Sequence, residues 1–108
     1  MNYLVLSGRF TKDPEIRYTP SNKAVCSFTL AVDGGKSNDG ERITQFLPCV
    51  AWEHLAELID QYFTKGDGIN VIGRLQSRSY EKDGQKHNVV EVVVTGIDFP
   101  LTRKEHGG

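Results

Sequence analysis

Phe46, Trp52 and Tyr80 are the residues best suited to recognition chemistry, each a bulky ring in a stretch with strand character: Thr44-Gln45-Phe46, Val50-Ala51-Trp52 and Arg74-Leu75-Gln76-Ser77-Arg78-Ser79-Tyr80. Their Thr, Gln, Ser and Arg neighbours fit a half-exposed sheet face, and Arg74, Arg78, Lys82 and Lys86 gather around the last ring. An aromatic face stacks on any base, and a cation follows any phosphate backbone. The combination therefore suits single-stranded nucleic acid held without readout of its sequence. Lys36 and Arg42 flank the tip of the Gly-rich loop Asp33-Gly34-Gly35-Lys36-Ser37-Asn38-Asp39-Gly40, a long polar segment that could close over a strand or be merely solvated. Plainer readings stand beside these. The rings could be core residues, Trp52 above all because it also opens a helical stretch, and long hairpins are commonly charged because both faces see water.

Other chemistries find little footing. His54, His87 and His106 lie far apart, without metal-ligand spacing to cysteine or carboxylate. Gly66-Asp67-Gly68 lacks the Lys-Ser/Thr of a phosphate loop, and no nucleophile motif is present. The expectation is a binding protein and not an enzyme, with no catalytic residues, metal or cofactor.

The elements that must position the rings follow from periodicity. Asn2 to Arg9 reads as a first strand, with Tyr3, Val5 and Ser7 on one face and Leu4, Leu6 and Gly8 on the other; neither face is clearly polar, which predicts cover on both sides. Lys12 to Ser21, with Asp13-Pro14 and Thr19-Pro20, reads as a turn-rich connection. Ala24 to Asp33 alternates, with Ala24, Cys26, Phe28, Leu30 and Val32 on one side, and Ile43 to Ala51 follows as a third strand. From Trp52 to Phe63 the period becomes helical through Leu55, Leu58, Ile59 and Phe63, and Lys65-Gly66-Asp67-Gly68 supplies a glycine stop. Ile69 to Tyr80 and Asn88 to Phe99 are strands joined at Asp83-Gly84, a hairpin signal. Five strands with one short helix between the third and fourth is the element order of an all-β OB-fold barrel. Gly8 and Gly73 would permit its sharp bends, and Pro48 predicts an edge position or a bulge.

At 108 residues, 38% hydrophobic and 25% charged, the chain is expected to form one domain over residues 1–100 with a short, loose tail at 101–108. No run approaches the ~20 apolar residues of a membrane span, and no basic, apolar leader opens the sequence. Cys26 and Cys49 read as buried, unlinked thiols, with a disulfide between neighbouring strands the alternative. A net charge of −1 argues against a simple basic nucleic-acid binder. Its distribution answers part of that objection. Residues 74–86 and 9–23 each hold four basic and two acidic residues, whereas residues 53–60 hold three acids and no Lys or Arg.

Laid out in order, the chain resembles the bacterial single-stranded DNA-binding protein family. The matching stretches are Gly8-Arg9-Phe10-Thr11-Lys12-Asp13-Pro14-Glu15-Ile16-Arg17-Tyr18-Thr19-Pro20, Phe28-Thr29-Leu30-Ala31-Val32, Cys49-Val50-Ala51-Trp52, Lys65-Gly66-Asp67, Gly73 through Tyr80, and Glu91-Val92-Val93-Val94. The resemblance implies an OB-fold assembling as a homotetramer (a dimer being the alternative) around wrapped single-stranded DNA, serving replication, recombination and repair. It places Phe46, Trp52 and Tyr80 at base-stacking positions, Arg78 at a basic position beside the last of these, and Arg17 and Lys65 at positions basic in the family. A cytoplasmic setting follows, bacterial or viral. Family members often continue into an acidic, phenylalanine-tipped tail that recruits other proteins. Glu105-His106-Gly107-Gly108 has no such tip, so recruitment is not expected from these residues. Two rivals remain: an OB-fold module whose rings anchor a protein partner, and a single-stranded RNA binder.

Overall fold

The computed structural model describes residues 1–99. The expected tail at 101–108 lies outside the described residues. Six strands and one helix run in the order β1 (Leu4–Phe10), β2 (Glu15–Tyr18), β3 (Ala24–Lys36), β4 (Arg42–Trp52), α1 (Glu53–Tyr62), β5 (Gly68–Lys82) and β6 (Gln85–Asp98). The sheet order is β1-β5-β6-β4-β3-β2, and β1 also pairs with β3. Five strands thus close a barrel, with the helix between its third and fourth members, as an OB-fold requires.

The short β2 is the element that a turn-rich connection over residues 12–21 leaves out. It pairs Glu15 to Tyr18 with Ser27 to Ala24 at the outer edge of β3. A strand of four residues set between Pro14 and Pro20, with Ile16 alone partly buried against the core, offers too little alternation for pattern reading.

The barrel interior is filled by one side of each strand. Phe10, Cys26, Phe28, Leu30, Cys49, Ala51, Ile69, Val71, Val92 and Val94 are buried there, and Ala56, Ile59 and Phe63 cap one end. Phe10 lies 4.9 Å from Phe28 and 5.3 Å from Phe63, centroid to centroid, so three rings from three segments meet at the helix end. Each such side chain contributes about 1.5–3 kcal/mol by leaving water. Both thiols are free and buried.

Closing so small a barrel brings backbones together, and two glycines mark where. A Cβ at Gly73 would stand 2.3 Å from the Val93 carbonyl oxygen, and one at Gly8 would stand 2.8 Å from that of Ala31. Gly73 also sits at a register shift in the β5–β6 ladder, where β6 carries one extra residue, Thr95, between the partners of Ile72 and Gly73. Pro48 occupies an edge: it stands opposite Thr29 of β3, while β6 reaches β4 only at Cys49 and Val50.

Three local expectations need correction. The first strand is not covered on both sides in this chain, because Tyr3 and Val5 are well exposed while Leu4 and Leu6 pack on the core. The helix does not end at a glycine. It stops at Phe63, whose extended backbone (φ −123°, ψ 143°) keeps an N–H bond to the Ile59 carbonyl, and Gly66 serves the following turn. The arm expected to be loop from Asp33 to Gly40 is half strand, with β3 running to Lys36 and β4 resuming at Arg42 after a turn.

Candidate nucleic-acid interface

Side chains opposite one another in a ladder share a face of the sheet, and successive residues alternate. The register therefore assigns sides without reference to function. Val25 pairs with Trp52, Ser27 with Val50 and Ala31 with Phe46. Val50 pairs with Val93 of β6, and Val93 with Arg74 of β5. Continuing by twos along β5 gives Gln76, Arg78, Tyr80 and Lys82. On the other flank Arg17 of β2 pairs with Val25. Phe46, Trp52 and Tyr80 consequently lie on one outer face, together with Arg17, Arg74, Arg78 and Lys82.

All three rings are open to solvent, at 63% for Phe46, 43% for Trp52 and 44% for Tyr80. The core alternative for them does not apply in this chain. Between the rings the face is lined by Val25, Val50 and Val93, which form a small buried cluster of their own. Short β-branched side chains there keep the centre of the face low while longer groups stand around it. Arg17 and Trp52 flank Val25 on neighbouring strands, and the Arg17 guanidinium donates to the Ser27 hydroxyl at 3.2 Å.

The other expected cations divide between positions, and Arg42, four residues before Phe46 on the continuous β4, continues the same face along the arm. Glu81 pairs with Lys86, one step out of phase with Tyr80 and His87, so Lys86 projects from the reverse side of the hairpin. Lys36 pairs with Arg42 at the end of the β3–β4 arm. Arg42 and Lys65 help to line a groove of about 860 Å³ that adjoins the same face at Ala31, the partner of Phe46, beside Ser7, Arg9, Asp33 and Asp67. Arg9 carries no signal of its own in the sequence; its ladder partners, Gly68 on β5 and Ala31 on β3, bring it to that groove.

The arm is held by local bonds. The Gly35 N–H, then the Arg42 guanidinium 2.7 Å away, hold the Asp33 carboxyl below the usual carboxylate range. The Ser37 hydroxyl, then the Glu41 N–H, do the same for Asp39. Across the hairpin, Tyr80 stacks on His87 with centroids 5.3 Å apart, and the Arg78 guanidinium carbon lies 5.8 Å from the Tyr80 centroid. Arg78 Nε donates to both oxygens of Glu91 at 3.2 Å, and Gln76 Nε2 donates to the second of them, also at 3.2 Å. Gln76, His87 and Glu91 cannot be picked out from sequence because their partnership depends on cross-strand register, which one strand's sequence does not carry. Among the described residues no group of three or more metal-ligating side chains converges.

Comparison with known proteins gives a consistent likeness. The model of the single-strand binding protein family matches residues 1–100. A single-stranded DNA-binding protein of Bacillus cereus is 46% identical over 110 residues, an alignment covering 100% of this chain and 64% of that protein. Single-stranded DNA-binding protein A of Bacillus subtilis is 46% identical over 110 residues, covering 100% of this chain and 63% of its own length. A single-stranded DNA-binding protein of Clostridium tetani is 48% identical over 101 residues, with 92% of this chain and 70% of the relative covered. The chain thus spans just under two thirds of the length of the two Bacillus relatives.

Proposed function

The chain belongs to the single-strand binding protein family, and from that premise we propose that it binds single-stranded DNA without regard to sequence, protecting strands exposed in replication, recombination and repair. One observation carries this reading: three solvent-open rings share a sheet face with Arg17, Arg42, Arg74, Arg78 and Lys82, although the chain as a whole has a net charge of −1. Phe46, Trp52 and Tyr80 stack on bases, each stack contributing about 1–3 kcal/mol. Arg17, Arg74, Arg78 and Lys82 meet phosphates along that face. Lys36, Arg42 and Lys65 extend the basic path around the arm and barrel end, and Lys86 meets backbone passing behind the hairpin.

Trp52 is the chain's only tryptophan, so its fluorescence reports one place on the proposed surface. Titration with oligo-dT should quench it, less so at high salt because phosphate contacts release counterions, and duplex should not compete. Absence of both quenching and any other binding signal would give the rings to a protein partner instead. A matched oligo-U that binds as well or better would point to RNA.

The protein assembles with copies of itself, as a homotetramer or a dimer. The support is the exposed apolar set of Tyr3, just before β1, and Val5 on it, with Leu75 and Val90 beyond the barrel, surface that a monomer would leave in water. Sedimentation equilibrium measures the state directly. Its setting is the compartment where single strands arise, the bacterial cytoplasm or a virus-infected host's.

A further inference from the structure

Glu91 is a carboxylate set into a face that is otherwise ringed with cations, and it is only 8% exposed. On charge alone it opposes a polyanion. Its surroundings point to a different role. A buried carboxylate is stable only when its oxygens are bonded, and here the donors are Gln76 Nε2 and Arg78 Nε, both on the outer face of β5. Only Nε of Arg78 is taken. Among the described residues its two terminal nitrogens have no protein partner, so the outer half of the fork remains available while the inner half is fixed.

We propose that Glu91 is a positioning residue for nucleic-acid binding: it holds Arg78 so that the terminal guanidinium nitrogens meet a phosphate while the same cation stands over the Tyr80 ring. The inference rests on the single-strand reading above and deepens it. An arginine side chain that must be ordered on binding loses rotamer freedom, and one ordered beforehand does not. The fixed cation also couples a phosphate contact to a stacked base, because Arg78 lies 5.8 Å from the Tyr80 centroid and Tyr80 is backed by His87. Gln76 completes the device by bonding the carboxylate from the strand position directly opposite.

Glu91→Gln separates this role from simple charge. Removing a negative charge from the face should tighten binding if charge is all that matters. Positioning requires the reverse, about fivefold weaker binding of oligo-dT as the charge-assisted bond to Nε becomes a neutral one. It also requires a salt slope shallower by about 0.7, the change expected when a single strand has one phosphate fewer neutralised by the protein. The Glu91→Gln change should have no such effect in an Arg78→Ala background. Equal weakening in both backgrounds would mean that Glu91 merely supports the fold, and unchanged or tighter binding in the Arg78 background would also overturn the proposal. Arg78→Lys gives a second test that leaves Glu91 itself in place: it retains the charge but lacks the fork that bonds the carboxylate and the phosphate together, so it should lose affinity almost as Arg78→Ala does, and wild-type binding by it would overturn the proposal. Wild-type titration is the reference. If the wild type fails to bind oligo-dT, the single-strand reading falls and this inference with it; if the wild type binds and the variants disagree as described, only the role of Glu91 falls.

Discussion

Tyr80 and His87 stand directly opposite each other on β5 and β6, with their rings 5.3 Å apart and 20° from parallel. β1 pairs with β5 only as far as Gly73, so among the described residues no strand lies beside Tyr80 on the side away from His87. A base arriving from that side would extend a stack that already has its second member. Tyr80→Ala is expected to weaken oligo-dT binding about tenfold. His87→Ala, which removes only the backing ring, should cost about two- to threefold. Fluorescence anisotropy of labelled oligo-dT measures both, and a larger loss from His87 than from Tyr80 would reverse their assigned order.

The two glycines of the β5–β6 bulge should respond differently to one added methyl group. At Gly73 a Cβ meets the Val93 carbonyl at 2.3 Å, whereas at Gly96 its nearest neighbour is the Ile72 side chain at 3.7 Å. Gly73→Ala should destabilise the fold by about 3 kcal/mol. Gly96→Ala should stay within about 1 kcal/mol. Urea unfolding followed by circular dichroism gives both values, and comparable midpoints for the two variants would contradict the close approach at Gly73.

Much of this arrangement is legible before any coordinates. Alternation through Ala24, Cys26, Phe28 and Leu30 identifies a buried face, and the change of period at Trp52 marks the helix. Asp83-Gly84 specifies the hairpin turn, and both residues do adopt positive φ, at 54° and 77°. Exposure is harder to read, because a ring on a strand has the same local pattern whether its face looks into the barrel or out. For Phe46 the answer depends on its pairing with Ala31, a partner on another strand that the residues around Phe46 do not specify. The Glu91–Arg78 pair is illegible for the same reason: two residues thirteen apart meet only because the hairpin register is Gln76 to Glu91 and not one step shifted.

Burial pushes the Cys26 thiol from an ordinary 9.0 to about 11, with the Asp60 charge adding to the shift, and the Cys49 thiol to about 12, with Glu91 adding there. Neither should react with iodoacetamide at pH 8 in the native protein, and both should react in denaturant. The stability consequence has a definite sign. Below pH 9 both states keep their thiol protons. Between 9 and about 11–12 the unfolded chain loses protons that the native one retains, so stability falls as pH rises through that window. Replacing both cysteines with alanine should flatten that limb of the pH–stability curve.

Glu53 begins α1 with φ 57°, in the left-handed region that a side chain enters at a cost. It follows Trp52 directly, so the strained residue makes the turn from strand to helix beside one of the three rings. Glu53→Gly should raise unfolding stability by about 1 kcal/mol, since glycine adopts that backbone freely. Thermal unfolding by calorimetry checks the sign, and a lower melting temperature would show that the glutamate side chain contributes more than its backbone costs.

The β5–β6 hairpin has a geometric consequence for length variation. Its strands are in register from Gly73 with Val94 out to Lys82 with Gln85, ending in a two-residue turn. Residues can be added to such an arm only as cross-strand pairs, each moving the tip by about 3.4 Å and exchanging which face the new side chains occupy. Reach and facing are thus linked in a two-step scale: one inserted pair lengthens the arm and exchanges the sides of Lys82 and Lys86, and two pairs lengthen it and restore them. A lineage altering the span of this arm has discrete settings to choose among, and the barrel beneath is indifferent to which is taken.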